Sequence, residues 1–366
     1  MWGATALVTV QCARTLHRHP DPARVPLMGV LGAFVFAAQM VTFSIPAAGS
    51  SGHLGGGLLL AILLGPEAAF LVIASVLTVQ ALFFADGGLL ALGANIFNLG
   101  VFPAFVAYPL IYRRIVGERP CPSRVVVGSI AGALVGLSLG ALAVVLETSF
   151  SGISDLPFGT FLALMLPIHL AIGLVEGLVT AAVVLCIARL QPEVLSRAAG
   201  RQPLGGLALR RVIASLAVAA VVTGAILAWF ASGHPDGLEW SISGVTRRPE
   251  FDGTPTALNE EIATVQEQTS FLPDYDFRPV EAPAVPAPEA AEASWGTPSP
   301  GRSLAGLVGG GLTLLMAGSL GLVLGGARER TAGLSPRRSR RGTHPRSRRR
   351  PRCDALRPRQ PQQTGC

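Results

Sequence analysis

The chain is 366 residues long, half of them hydrophobic and only 14% charged, with a mean hydropathy of +0.51. A water-soluble domain of this size has no way to bury so large an apolar fraction, so the composition excludes a soluble globular protein and indicates an integral membrane protein. The net charge of +7 comes from arginine alone, and the lack of any lysine excludes a GxxxxGK[ST] phosphate loop, and with it a built-in ATPase of that class.

The apolar runs are continuous rather than alternating, which fits helices and not barrel strands, so the expected fold is all-α and polytopic. The amino terminus lacks the basic region and small-residue cleavage site of a signal peptide, and the first apolar stretch is read as structure. In chain order the expected spans are 3–13, 26–46, 53–64, 67–84, 91–112, 125–147, 158–189, 211–231 and 305–326. Gly65-Pro66 separates the third from the fourth, because proline ends or kinks a helix. Short cytoplasmic loops collect arginine. Arg14, Arg18 and Arg24 after the first span, Arg113, Arg114, Arg119 and Arg124 after the fifth, Arg189, Arg197, Arg201, Arg210 and Arg211 before the eighth, and the tail after 327 therefore face inside. The links near Ser50, Asp86 and Asp155, and the acidic 232–304 segment, face outside. Nine crossings result, with the N-terminus outside and the C-terminus inside.

Span six repeats glycine at every fourth position, Gly128, Gly132, Gly136 and Gly140, the pattern of a seam where another helix packs close to the backbone. The Pro/Ala/Glu-rich stretch 279–300 reads as a disordered external linker. The five cysteines, Cys12, Cys121, Cys186, Cys353 and Cys366, form no CxxC pair, which argues against a disulfide frame or thiolate metal site.

Polar groups at membrane depth are site candidates. His169 and Glu176 are seven residues apart on span seven, within about 20° on one helical face together with Gly173 and Thr180. They suit an interhelical network or a substrate path. Asn95 and Asn98 share a face of span five and carry the same two readings. Glu147 and Asp155 read as solvated carboxylates at an external end, and His17, His19, His234 and His344 as solvated loop or tail residues. His53 sits between Ser50-Ser51-Gly52 and the glycines Gly55, Gly56 and Gly57. It suits either the start of a helix or, as an uncrowded neutral imidazole, a ligand for a borderline transition metal, although one histidine cannot hold a metal alone.

The run RVPLMGVLGAFVFAAQMVTFSIPAAGSSGHLGGGLLLAILLGPEAAFLVIASVLTVQALFFADGGLLALGANIFNLGV, followed by HLAIGLVEGLVTAAV, resembles the substrate-binding component of the cobalt/nickel energy-coupling-factor transporters, the CbiM/NikM family. PDGLEWSI, FLPDYDFRP and GRSLAGLVGGGLTLL resemble the small PDGLE-type accessory subunit of nickel uptake systems, fused behind it. The expected domains are therefore a membrane component at 1–190, a cytoplasmic link at 191–210, an accessory-like region at 211–326 with its external segment at 232–304, and a disordered Arg-rich cytoplasmic tail at 327–366. The resemblance implies capture of Ni²⁺ or Co²⁺ as transported substrate, with no resident cofactor. It also implies a separate membrane T component and cytosolic ABC-type ATPase subunits as partners, and a multi-pass location in the inner (plasma) membrane.

The family's metal donors are the N-terminal amine, a backbone nitrogen and the side chain of a histidine directly after the initiator Met, plus an inner histidine that matches His53. This sequence opens Met1-Trp2-Gly3, without the Met-His tip. Its first span of 11 residues is short for a crossing. The expectation is a start codon set too far downstream, with roughly ten further residues in the living protein, about what a full crossing of ~20 residues lacks. The Arg-rich tail lies outside the resemblance and is expected to bind anionic membrane lipid rather than nucleic acid, since no aromatic or folded platform accompanies the charge. Two competing readings remain, a homologue that captures another solute or has lost capture, and an intramembrane hydrolase. The sequence has no GxSxG or HExxH motif for the latter, and the chain is expected not to be an enzyme.

Overall fold

The computed structural model describes residues 1–46, 48–118, 120–152, 156–200, 202–247, 257–278 and 296–325. Arg119, Asp155 and Arg201, most of the 279–300 stretch, Cys353, Cys366, His344 and the 327–366 tail lie outside them. In chain order the elements are α1 (Trp2–Arg18), α2 (Arg24–Gln39), β1 (Phe43–Ile45), β2 (Ser50–Gly52), α3 (Gly57–Leu64), α4 (Pro66–Phe83) and α5 (Leu92–Val101). A π-helical stretch Phe102–Tyr112 follows, then α6 (Arg113–Val116), α7 (Pro122–Phe150), α8 (Phe158–Leu190) and α9 (Pro192–Ala199). The chain continues with α10 (Arg210–Ala225), α11 (Gly237–Thr246), α12 (Ala257–Thr269) and α13 (Pro300–Gly325).

Among the described residues, five helices are long and apolar enough to cross a membrane: Pro66–Phe83, Leu92–Val116, Pro122–Phe150, Phe158–Leu190 and Pro300–Leu324. The protein is thus a polytopic helical membrane protein, but the nine expected spans do not all become full-length helices. The runs 3–13, 26–46, 53–64 and 211–231 form helices of 17, 16, 8 and 16 residues. At 1.5 Å per residue, α3 is about 12 Å long, less than half of a ~30 Å hydrocarbon core. Span two ends early because the chain turns at Thr42 into the β1–β2 hairpin, where Ser44 pairs Ser51 antiparallel and Gly49 takes the left-handed turn conformation.

The break at Gly65-Pro66 falls where proline places it, with Gly65 at φ 86° and Pro66 opening α4. The π-helical stretch has a similar origin. Pro109, inside it, brings no N–H and crowds the carbonyl four residues back, so the turn widens.

α2 is buried along almost its whole length, as a helix apolar on every side should be, and packs against α4, α10 and α13. Glycines let these helices meet: a Cβ on Gly29 would lie 3.0 Å from the Leu314 carbonyl oxygen, and one on Gly32 3.1 Å from Thr313. α10 crosses α13 where a Cβ on Gly224 would lie 3.1 Å from Gly306 Cα. α7 pairs with α8, and here α8 supplies the small residues, with Gly173 and Gly177 against the backbone of Leu134 and Ile130. The α7 glycine row points elsewhere: Gly128 faces Tyr112 and Val116, Gly132 faces Leu58, Gly136 faces Pro103 and Ala107, and Gly140 approaches Asn98. Along α8, Ile172, Glu176 and Thr180 turn inward while Leu170, Leu174 and Leu178 are exposed, the apolar outer stripe expected of a helix bordered by lipid.

Candidate functional site

The His53 loop lies between β2 and α3, where the chain has left the sheet and not yet entered the helix. Backbone groups in such a stretch need partners from elsewhere in the protein when no water is at hand. Glu176, 2% exposed in the middle of α8, supplies them. Its Oε2 accepts the Gly55 N–H at 2.8 Å and its Oε1 the Gly56 N–H at 3.1 Å. From α2, Gln39 donates its Nε2–H to the Gly55 carbonyl at 2.9 Å. The glycines are required by this geometry. Gly56 has φ 75°, and a Cβ there would lie 2.6 Å from Val35 Cγ1. On Gly55 a Cβ would stand 3.0 Å from the Glu176 carboxylate and 3.2 Å from Leu137.

His53 is half-buried, and its Nδ1 donates to the Leu54 carbonyl at 3.1 Å. A carbonyl acceptor fixes the proton on Nδ1 and leaves the lone pair on Nε2, the arrangement in which imidazole binds a metal. Among the described residues, no three His, Cys, Asp or Glu side chains gather into a metal cage, so His53 stands as a single donor.

The remaining expected site residues divide. His169 is half-buried, and its Nδ1 donates to the Met165 carbonyl one turn back at 2.8 Å. Glu176 instead engages the loop, so the two share a face of α8 with different partners. Asn98, 5% exposed, donates to Glu147 Oε2 on α7 at 3.3 Å. Glu147 is accordingly half-buried and bonded, unlike the solvated carboxylate expected from its position near a helix end. Asn95 takes no part in that pair and lies beside the Gly87 turn.

The accessory segment comes down on the same end. The Pro235 carbonyl accepts the Ser51 N–H at 2.7 Å, the His234 carbonyl accepts the Ser51 hydroxyl at 2.8 Å, and Ser232 N–H donates to the Thr42 carbonyl at 3.0 Å. The His234 side chain is exposed, as expected of a loop residue. The motif PDGLE also has a local job that its sequence discloses, a D-x-x-E capping box. Asp236 Oδ1 accepts the Leu238 and Glu239 N–H groups, each at 2.8 Å, and Glu239 Oε2 accepts the Asp236 N–H at 3.3 Å. Desolvation, and then the neighbouring Asp236, push the Glu239 carboxyl above its usual range. Gly237 lets the start of α11 rest on α8, since a Cβ there would lie 3.0 Å from Ile168 and 3.4 Å from the His169 ring.

A second attachment uses FLPDYD. The Phe271 and Leu272 N–H groups donate to the Phe83 carbonyl, and Asp274 N–H to that of Phe84. Tyr275 stacks on Phe84 at 5.2 Å and donates its hydroxyl to Asp86. Gln266 of α12 adds bonds to the Ala81 and Gly87 carbonyls.

The structure thus joins a helical membrane bundle to one half-buried histidine beside a glycine loop bonded by a buried carboxylate. The chain belongs to the CbiM family: the model of the cobalt uptake substrate-specific transmembrane region matches residues 1–194. That of the PDGLE domain matches 210–326, so one chain joins the two. It is 44% identical over 196 residues to a putative fused nickel transport protein NikMN of Archaeoglobus fulgidus, covering 52% of this chain and 62% of that protein. With the cobalt transport protein CbiM of Sorangium cellulosum the identity is 34% over 203 residues, covering 54% and 88%. With the fused nickel transport protein NikMN of Rhodobacter capsulatus it is 33% over 199 residues, covering 50% and 56%. The matched part thus spans less than two thirds of both fused relatives. A crystal structure described as a transition metal transporter aligns at TM-score 0.46 and 31% identity, covering 53% of this chain and 89% of that one.

Proposed function

We propose that this protein captures Ni²⁺ or Co²⁺ at its outer end as the substrate-binding component of an energy-coupling-factor importer. His53 Nε2 is one donor, to be joined by further nitrogen donors. The observation that carries the reading is the His53 loop itself, with its glycines, its buried carboxylate and its Nδ1–carbonyl bond, in a chain of the CbiM family. Nitrogen donors suit both metals, which rank adjacently in intrinsic affinity. A separate T component and cytosolic ATPases supply the energy, in keeping with a chain that has no phosphate-loop lysine.

In this reading the chain crosses the plasma membrane nine times, N-terminus outside and C-terminus inside. The half-length α3, continued outward by the His53 loop, counts as one crossing, because irregular backbone is tolerated at membrane depth where protein satisfies it. Residues 1–190 form the capture component and 211–326 its fused accessory region, with the 327–366 tail lying on anionic lipid. Asn95, Asn98 and His169 serve either as polar core residues or along the substrate path, and the protein performs no chemistry on its substrate.

Metal uptake in cells expressing the natively encoded protein with its T and ATPase partners tests the function. His53→Ala is expected to reduce uptake of both metals to background. Wild-type uptake by that variant overturns the assignment of His53, and uptake of neither metal by the native protein favours the reading in which it captures another solute.

A further inference from the structure

Glu176 is costly where it stands. Its carboxylate is 2% exposed at the middle of a membrane-spanning helix, and its bonds go to two backbone amides, Gly55 and Gly56. The two salt bridges among the described residues, Arg24–Asp21 and Arg197–Glu193, lie elsewhere. An ionisable group held at that depth without a cation is a functional candidate by default. What it touches points to the function. The two amides lie two and three residues beyond His53 and directly precede α3, whose N-terminal dipole end favours a negative charge. Each carboxylate oxygen takes one amide, and Gln39 holds the Gly55 carbonyl from the opposite side.

We propose that Glu176 is the positioning residue of the metal site: by clamping the Gly55 and Gly56 amides it fixes where the His53 imidazole stands before the ion arrives. This rests on the reading of His53 as a donor. Both oxygens are needed, because a side-chain amide in the same place offers one acceptor and turns its NH₂ toward the second backbone N–H. Groups one step behind a metal ligand typically set affinity by about 10- to 100-fold, and that is the range expected here.

The test uses the purified full-length protein. Ni²⁺ titrations compare wild type, Glu176→Gln, Glu176→Asp and His53→Ala, with Leu216→Ala as a control that opens a cavity at a buried position of α10, outside the loop and its Glu176 and Gln39 partners. Hydrogen exchange of the metal-free protein reads the clamp directly. Glu176→Gln is expected to weaken Ni²⁺ binding about 10- to 100-fold and to speed exchange at Gly55 and Gly56 while 58–64 stays protected. Leu216→Ala binds as wild type. Glu176→Asp, which keeps the charge but retracts it by one methylene, loses less, and carries the test if the Gln variant does not fold. Wild-type affinity in both Glu176 variants alongside a loss in His53→Ala overturns the clamp and leaves His53 standing. An equal loss in Leu216→Ala overturns it as well, since destabilisation then accounts for the effect. Wild-type affinity in His53→Ala removes the donor, and the proposal with it.

Discussion

The loop around His53 and the accessory segment that rests on it are fastened in opposite ways. The loop is held from within the bundle by a carboxylate with no exposure to speak of and turns at Gly56, whose left-handed conformation and contact with Val35 leave no room for a side chain. The accessory segment is held by neutral bonds, its His234 and Pro235 carbonyls accepting from Ser51 of β2 and its Phe271, Leu272 and Asp274 amides donating to carbonyls at the α4 end, and by an aromatic stack. Buried charge-assisted bonds are costly to break, because the freed groups find no water. Neutral backbone bonds are each worth less, about 0.5–1.5 kcal/mol. The molecule therefore joins a rigid seat to a cover whose attachments are individually weak.

The strongest way to break this contrast is Gly56→Ala. The substitution places a Cβ at φ 75° and 2.6 Å from Val35. Left-handed backbone costs about 1–2 kcal/mol for a residue with a side chain, and overpacking about 1–3 kcal/mol more, so a loss of about 2–5 kcal/mol is expected. Thermal unfolding in detergent reads it. A variant with unchanged midpoint would mean that the loop is loose, and the contrast with the accessory segment would vanish.

How much of this was legible beforehand follows from the range of the interactions. Continuous apolar runs marked the long helices, and Gly65-Pro66 marked the α3–α4 break, because both are local properties of the chain. Helix lengths were less legible: hydropathy does not reveal that span two turns into a hairpin at Thr42 or that α3 is only eight residues long. The widening around Pro109 was foreshadowed by the proline alone. His53 and Glu176 each stood out as polar residues in apolar surroundings, but the bonds that Glu176 accepts from Gly55 and Gly56 join residues more than a hundred positions apart, and no spacing rule reaches that far. The partner of the α7 glycine row was equally hidden, since a small-residue stripe tells that something packs there and not what. The Asp236–Glu239 capping box, by contrast, was written plainly in four consecutive residues.

That capping box sharpens the comparison from the weaker side. Asp236→Ala removes the acceptor for two N–H groups at the start of α11 and is expected to cost about 1 kcal/mol, the usual worth of such a cap. Hydrogen exchange should rise along 237–246 and stay unchanged in α3 and in the Gly55 and Gly56 amides. Faster exchange at Gly55 or Gly56 in this variant would show that seat and cover open together.

Tyr275 offers a similarly small effect and a pH axis. Removal from water, and then the adjacent Asp86 carboxylate, push its phenol well above the usual tyrosine range. A tyrosine whose proton is held more tightly in the folded state contributes its full stabilisation below the unfolded value and loses it as pH rises through the folded one. The FLPDYD attachment should consequently stay intact at neutral pH and loosen only in alkali, above the range in which free tyrosine ionises. Tyr275→Phe keeps the ring stack on Phe84 and deletes the hydroxyl bond to Asp86, at a cost of about 0.5–1.5 kcal/mol at neutral pH. In that variant the alkaline loosening, followed by hydrogen exchange at the Asp274 amide that donates to Phe84, should lose the part due to this phenol. If wild type and variant loosen at the same pH and to the same extent, the hydroxyl contributes nothing, and the second attachment rests on the aromatic stack and backbone bonds alone.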